Sequence, residues 1–490
     1  MEKQKDRQSN LRREKMSRIN KMLIALFFIC FLPVGNLCVA DDTKTNVILI
    51  LVDDLGWKDL GCYGSEYYQT PNIDRLSVEG MRFSNGYAAC NVCSPTRAAI
   101  LSGKYPARLL LTQWLPSGRW DAKKNKLREA RYLSNLPLEE VTIAEAMREA
   151  GYRTAFMGKW HLGTETYYYP EHQGFDINIA GRDYGAPGSY FYPFEGSWRI
   201  PTTGKTLQKE SPLSGKKGDY LVDRLAEEAE AFIRDSADKP FFLMLSHYAV
   251  HTPLQGKPDK VSRYEKIPKS KRQGKPAYAA MVESIDDSVG RVMKTLRDLE
   301  LEERTLVVFT SDNGGFARAT DNSPLRANKG SNYEGGIRVP FLIKWPNHIK
   351  AGTLSDEPVI STDIYPTILA ATGNNLRPYQ HVDGKNLVPI LTGSGSLERE
   401  AIYWHYPHYN QHPESFPSGV IRAGDWKLIE AFETGELSLY NLAVDIGETN
   451  DLSASEPAKV ATLHAKLKAW RESVGADPVK ANPQYEGAKH

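Results

Sequence analysis

Cysteine is scarce in this chain. Five occur in 490 residues, and two of them, Cys30 and Cys38, lie in the first 40. The other three, Cys62, Cys90 and Cys93, are too few for a disulfide scaffold, and their spacing makes no zinc site. An excess of charge of one sign is also lacking, with 62 Lys and Arg against 60 Asp and Glu. Residues 1–40 carry eight of the basic groups and three of the acidic ones, which leaves 54 against 57 in the remainder. That balance excludes the broad basic surface of a nucleic-acid binder. Any anionic ligand must therefore be held by local charge. Repeats and low-complexity tracts are missing as well.

Long apolar runs are missing too. The run Leu23–Leu32 is too short to span a bilayer, so no stable membrane span is expected. A basic segment ending in Lys15, Arg18 and Lys21 precedes it, and Pro33, Gly35 and Cys38-Val39-Ala40 follow, before Asp41-Asp42. This pattern reads as an export signal over residues 1–40, with a periplasmic or secreted product. Met16 would give a more usual start, and an uncleaved anchor is the competing reading. Gly35-Asn36-Leu37 before Cys38 fits a lipoprotein processing site poorly. In an oxidising compartment the odd cysteine of the remaining three asks for an explanation. Either one thiol stays free, with a Cys62–Cys90 disulfide left open, or one is chemically altered.

Four apolar runs share one design. Asn46–Val52 ends in Asp53-Asp54, Tyr152–Met157 in Gly158-Lys159-Trp160-His161, Phe241–Leu245 in Ser246-His247 and then His251, and Leu306–Thr310 in Ser311-Asp312-Asn313. Runs without alternation are strands buried on both faces. Helical segments at Val141–Ala150, Tyr220–Ser236 and Tyr278–Glu300 separate them, and Asp363–Ala371 adds another. The alternation predicts a doubly wound α/β fold, a large and mostly parallel sheet between helices, with polar clusters at the strands' carboxyl ends. After about residue 375 the pattern changes to short alternating runs at Gly419–Arg422, Trp426–Phe432 and Glu436–Tyr440, closed by a helix at Pro457–Val474. These predict a smaller C-terminal α+β subdomain with an antiparallel sheet, residues 376–490, beside a main domain of residues 41–375.

Chemistry-bearing residues fall at those strand ends. Asp53, Asp54, Asp312 and Asn313 offer oxygen ligands, which suit a hard cation such as Ca²⁺ or Mg²⁺. The competing reading is a set of turn and cap residues. Lys159, His161, His251 and Lys329 are candidates for anion binding and proton transfer. Cys93-Ser94-Pro95-Thr96-Arg97 opens an expected helix reaching Gly103, and a helix start offers free N–H groups to an anion. A structural cysteine bonded to Cys90 is the alternative.

Taken together, these stretches resemble a type I sulfatase of the alkaline phosphatase-like superfamily. Cys93–Arg97 followed by Ser102-Gly103-Lys104-Tyr105-Pro106-Ala107-Arg108 matches the family's modification signature, and Gly158–Gly163 matches its second signature. Asp53-Asp54, His251-Thr252-Pro253, Asp312-Asn313-Gly314, Lys329, Asp425-Trp426-Lys427-Leu428 and Leu439-Tyr440-Asn441-Leu442 match in order, so the likeness covers roughly residues 44–475. The resemblance implies a sulfuric ester hydrolase in which a maturation enzyme oxidises Cys93 to formylglycine (3-oxoalanine). It implies one divalent cation, Ca²⁺ in preference to Mg²⁺, held by Asp53, Asp54, Asp312, Asn313 and the modified Cys93. Arg97 would fix the formylglycine. Lys159 and Lys329 would hold sulfate oxygens, His251 would protonate the leaving oxygen, and His161 would take the proton that releases sulfate.

The expected substrate is a sulfated carbohydrate, cleaved from the end of an oligosaccharide of an algal polysaccharide (ulvan or carrageenan type) or of a host glycan. Tyr403–Tyr409 is dense in aromatics, and His405 and His408 within it are expected to line the leaving-group pocket. Two rivals stand beside this reading: a phosphonate monoester or phosphodiester hydrolase with the same modified cysteine, and a non-catalytic sulfoglycan-binding protein.

Overall fold

The computed structural model describes residues 44–116, 118–163, 165–200 and 204–486. The expected export signal, with Cys30 and Cys38, lies outside the described residues. Among the described residues no helix is long and apolar enough to cross a membrane.

The strands in chain order are β1 (Asn46–Val52), β2 (Met81–Phe83), β3 (Gly86–Tyr87), β4 (Arg153–Gly158), β5 (Ile177–Ile179), β6 (Gly196–Arg199), β7 (Thr206–Lys209) and β8 (Phe241–Ser246). They continue with β9 (Thr305–Ser311), β10 (Phe341–Lys344), β11 (Thr353–Ser355), β12 (Val359–Ile360), β13 (Ile402–Tyr406), β14 (Ser418–Ala423), β15 (Trp426–Ala431) and β16 (Leu437–Asn441). Eight of them form the main sheet in the order β11-β2-β10-β9-β1-β8-β4-β5. The four apolar runs of the sequence are the adjacent strands β9, β1, β8 and β4. All four run parallel, with Val47 paired to both Phe242 and Leu306, and Ala155 paired to Leu243.

Alternation within β1 shows why these strands are apolar throughout. Ile48, Ile50 and Val52 enter one core with the helices Leu221–Asp235 and Pro276–Asp298. Val47, Leu49 and Leu51 enter a second core with the helices Cys93–Ser102, Ile143–Glu149 and Ile364–Ala371. With both faces covered by helices, every position of β1 is buried. At the far side β10 pairs antiparallel with β9, so the sheet is mixed.

The C-terminal sheet is antiparallel in the order β13-β14-β15-β16. The helix Pro457–Ser473 packs on it through Leu463, Leu467 and Trp470. That core also takes in Tyr87, Ala99, Tyr105 and Ile360 from earlier in the chain, so the small sheet is anchored to the helix that Cys93 opens. An ion cluster locks the contact. Lys427 of β15 lies 2.9 Å from Glu334 Oε1 and 2.8 Å from Glu448 Oε1, with all three side chains fully buried. Tyr87 Oη donates to Glu334 Oε2 at 2.7 Å, and Arg338 Nη1 does so at 3.2 Å. Burial opposes charge on Glu334, but Lys427, then Arg338 and Arg422, outweigh it and hold the carboxyl below its usual range.

Removing one partner of such a cluster leaves buried charge uncompensated, which costs about 3–5 kcal/mol. Lys427→Met is therefore expected to lower unfolding stability by roughly 3 kcal/mol or more in a denaturant titration at pH 7. Protonation of the stranded Glu448, whose carboxyl is already pushed up to about 7 by burial, should shrink that loss at pH 5. A loss that stays below about 1 kcal/mol would show that the cluster does not lock the C-terminal sheet.

Candidate active site

Four parallel neighbours end at one edge, and each delivers a polar cluster there. Asp53-Asp54 follow β1, Asp312-Asn313 follow β9, Lys159 and His161 follow β4, and Ser246 ends β8 ahead of His251. The helix that opens at Cys93 brings its first turn to the same edge. Close approach of the strand ends requires glycine at Gly158, whose φ is +108° and whose Cβ would lie 1.9 Å from Ser246 O. Asp54 and His161 both have φ +62°, in the left-handed region that non-glycine residues rarely adopt. Both are held there by the contacts of their side chains.

Behind the surface lies a dry layer of paired charges. Lys159 Nζ donates to Asp53 Oδ2 at 2.7 Å. Arg97 Nε donates to Asp312 Oδ2 at 2.8 Å, while its Nη1 donates to Lys159 O and Ser246 Oγ, each at 2.7 Å. Lys329 Nζ donates to Asp54 Oδ1 at 2.5 Å, and Asn313 Nδ2 donates to the same oxygen at 2.8 Å. One carboxylate oxygen from each of Asp53, Asp54 and Asp312 can be chosen so that all three lie within 4.8 Å of one another. Asp53 Oδ1 and Asn313 Oδ1 are buried and have no hydrogen-bond donor among the described residues. Burial, followed by the charge of Asp312, pushes the Asp53 carboxyl well up. Burial also opposes charge on Asp54, but Lys329 and then His251 prevail and hold it low. Two orphaned oxygens beside a carboxylate that lacks enough positive charge fit a hard divalent cation, and the all-oxygen donor set suits Ca²⁺ or Mg²⁺.

Cys93 sits at the open side of this layer, 4% exposed. Its Sγ lies 3.4 Å from His161 Nδ1, and His161 Nε2 lies 2.6 Å from Leu115 O. A carbonyl accepts only, so Nε2 carries the hydrogen and the neutral ring turns the Nδ1 lone pair toward Cys93. Burial, then Lys159, keeps the His161 ring neutral by lowering its pKa. Gly185 lies against that ring, and a Cβ there would fall 2.5 Å from His161 Cε1. His251 holds its Nδ1 against Thr252 O at 2.9 Å and turns Nε2 toward Asp54 Oδ2 at 3.7 Å. Burial, then Lys329, lowers its pKa, and Asp54 acts in the other direction. Cys62, Cys90 and Cys93 are all free, so Cys93 is not bonded to Cys90 and no Cys62–Cys90 disulfide is present.

A cavity of about 440 Å³ opens over Cys93. Asp54, Cys93, His161, His251 and Lys329 line it. Asp53, Arg97, Lys159, Asp312 and Asn313 form the layer behind. Lys159 does not reach the cavity wall, since its ammonium is enclosed against Asp53. His405 and His408 do not line this cavity. His405 lies on β13, faces Phe432 and borders a separate hollow on the C-terminal sheet. His408 is buried, with Nε2 2.8 Å from Thr112 Oγ1. The aromatic density that marked this stretch reflects an edge strand packed into the core. The cavity's outer wall comes instead from Trp114, Arg119, Trp198, Lys209, Phe316 and His412. These residues sit on loops and on a small hairpin, β6–β7, with no periodic signal in the sequence.

Comparison with known proteins identifies the family. The sulfatase family model matches residues 45–374, and a model for the C-terminal part of N-sulphoglucosamine sulphohydrolase matches residues 327–473. A sulfatase of Formosa agariphila is 33% identical over 87% of this chain and 88% of its own length. Human N-acetylgalactosamine-6-sulfatase is 33% identical over 73% of this chain and 68% of its own. The crystal structure of Ps i-CgsB superposes with a TM-score of 0.74 at 31% identity, covering 91% of this chain and 95% of that one. Its complex with k-i-k-neocarrahexaose gives a TM-score of 0.73 at 30% identity, with the same coverage. Phosphonate monoester hydrolase of Agrobacterium radiobacter, at 21% identity and a TM-score of 0.65, shares the fold. A strand-end acid layer beneath a helix-borne cysteine, in a chain matched over two thirds of its length by one family, makes this protein a type I sulfatase of the alkaline phosphatase-like superfamily and a sulfuric ester hydrolase.

Proposed function

We propose that this enzyme removes sulfate from a sulfated carbohydrate, using a formylglycine made from Cys93 by a separate maturation enzyme. The carrying observation is that Cys93, His161, His251, Lys329 and Asp54 face one cavity while Asp53, Arg97, Lys159, Asp312 and Asn313 are sealed behind them. Support for a carbohydrate comes from the neighbour solved with neocarrahexaose and from the cavity's aromatic wall. The substrate class we favour is an oligosaccharide of carrageenan or ulvan type, or of a host glycan, cleaved from its end. A polymeric glycan is met outside the cytoplasm, which accords with reading residues 1–40 as an export signal.

Asp53, Asp54, Asp312 and Asn313 would hold one divalent cation, Ca²⁺ in preference to Mg²⁺, which when bound supplies Lewis-acid stabilisation of oxygens at the reacting centre. Cys93 Sγ marks where the aldehyde oxygen of formylglycine would lie. Hydrated, that group supplies one hydroxyl to attack sulfur and a second whose deprotonation lets sulfate leave by C–O cleavage. The rest falls to the chain's other side chains. Lys329, at the cavity wall, would bind sulfate oxygens and offset their charge. Lys159, from behind, would keep Asp53 ionised together with the cation. Arg97 ties Asp312, Lys159 O and Ser246 together and so fixes the floor under residue 93. His161, neutral and with Nδ1 toward residue 93, is placed to accept the proton whose loss releases sulfate. His251, its Nδ1 hydrogen held by Thr252 O, faces the cavity with Nε2 beside Asp54; once protonated there, with Asp54 stabilising the imidazolium, it would give that proton to the leaving oxygen. An acid and a base lining one cavity favour a catalyst over a sulfoglycan-binding protein.

Mass spectrometry of the peptide carrying residue 93, from protein made with its maturation enzyme, should find 3-oxoalanine. Intact thiol throughout active protein would rule the nucleophile out. Cys93→Ala should lower kcat on an aryl sulfate about 10⁴-fold or more, and Lys329→Ala should lower kcat/KM roughly 10²- to 10³-fold. With aryl sulfate and aryl phosphonate at equal concentration, the sulfate should be hydrolysed faster. Faster phosphonate cleavage would give the site to the phosphonate hydrolases. Chelation followed by dialysis should abolish turnover, and restoration by Ca²⁺ or by Mg²⁺ identifies the ion.

A further inference from the structure

Two cations on the cavity's outer wall have no part in the chemistry just described. Arg119 lies between two indole rings, its guanidinium 5.6 Å from the Trp114 centroid and 5.8 Å from that of Trp198. Its hydrogen bond is a long one, from Nη1 to Gly118 O at 3.4 Å. Lys209 ends β7, and its Nζ reaches Pro187 O at 3.5 Å. Among the described residues neither side chain has a carboxylate partner. Other half-buried cations of this protein find one: Arg108 is 2.7 Å from Asp383 and Arg291 is 2.9 Å from Glu230. Burial pulls the Arg119 pKa down, and burial followed by the charge of Lys159 brings Lys209 to about 8.

Partly desolvated cations without a counter-charge are costly to keep. These two line the same cavity as Cys93. A single sulfate ester already has Lys329 at the floor and leaves them unmatched. Flanking Trp114 and Trp198 offer flat apolar faces of the kind that pack against sugar rings. We propose that Arg119 and Lys209 form a second anion subsite, which receives a sulfate or carboxylate on the sugar that bears the cleaved ester or on its neighbour. The natural substrate is then a polyanionic glycan, and the two residues set specificity. This inference rests on the sulfatase reading above.

The test uses the matured full-length enzyme and three oligosaccharides of equal length. One carries a single sulfate and no other anion, one a second sulfate, and one a uronic carboxylate beside the sulfate. The wild type should prefer at least one of the doubly charged substrates over the first. Arg119→Gln with Lys209→Met should lower that kcat/KM ratio about 10- to 100-fold, mostly through KM, and Arg119→Lys should retain part of it. The substrate whose advantage collapses identifies sulfate or carboxylate as the second anion. Ratios that stay within about twofold of wild type for both doubly charged substrates, with single-sulfate turnover intact, overturn the subsite and leave the sulfatase reading standing. No turnover of any of the three, or of an aryl sulfate, by the wild type would overturn both.

Discussion

The structure depends on a balance of buried charge. Asp53, Asp54 and Asp312 stand together under the strand ends, almost wholly buried. Three carboxylates in that space repel one another, and isolated burial of even one is costly. Lys159, Lys329 and Arg97 answer them one for one. The pairs are not local in sequence: Arg97 and Asp312 are 215 residues apart, and Lys329 and Asp54 are 275 apart. The layer can therefore form only once β9, β1, β8 and β4 lie side by side, which ties the site to the whole main sheet. Balanced among themselves, the six charges would gain a net positive charge with a divalent cation. That is the field a sulfate needs, and it is generated without any positively charged surface. The chain's near-neutral composition is consistent with this concentration of charge at one point.

Rigid floor and irregular wall divide the work. The floor residues sit at ends of fully buried strands or in the first turn of a buried helix, so their positions are set by two hydrophobic cores. The wall is built from loops and the β6–β7 hairpin, whose residues are half-exposed. Precision is required where bonds change, and strands supply it. Selection among substrates requires shape and charge that can vary independently of the chemistry, and loops supply that. The C-terminal sheet serves the wall indirectly. Its ion cluster and the helix Pro457–Ser473 seat β13, and the segment after β13 carries His412 to the cavity.

Legibility in the sequence follows the same division. β1, β4, β8 and β9 could be read because burial on both faces leaves an unbroken apolar run, and each predicted boundary agrees to within a residue or so. Asp53, Asp54, Asp312, Asn313, Lys159, His161 and His251 could be read because each lies just past such a run. Cys93 was marked by the proline and arginine of a helix start, which the helix Cys93–Ser102 realises. The short strands β2, β10 and β11 could not be read, since three or four residues carry no period. His405 misled for a physical reason: aromatic and histidine density describes a buried edge strand as well as it describes a sugar-binding wall, and alternation over five residues does not separate them.

Arg119 and Lys209 were silent for a different reason. Each is an ordinary basic residue in a polar stretch, and nothing nearby in sequence distinguishes it from a solvated surface charge. Their character comes from what is absent around them in space. A charge in water needs no partner, whereas a charge enclosed by Trp114, Trp198 and the hairpin does. Pairing of that kind is a property of the folded surface and has no periodic trace. The floor of this site pairs its cations with its carboxylates and leaves two buried oxygens for a metal ion. The wall, where two charges are left unmatched, is where the chain leaves room for a property of its substrate.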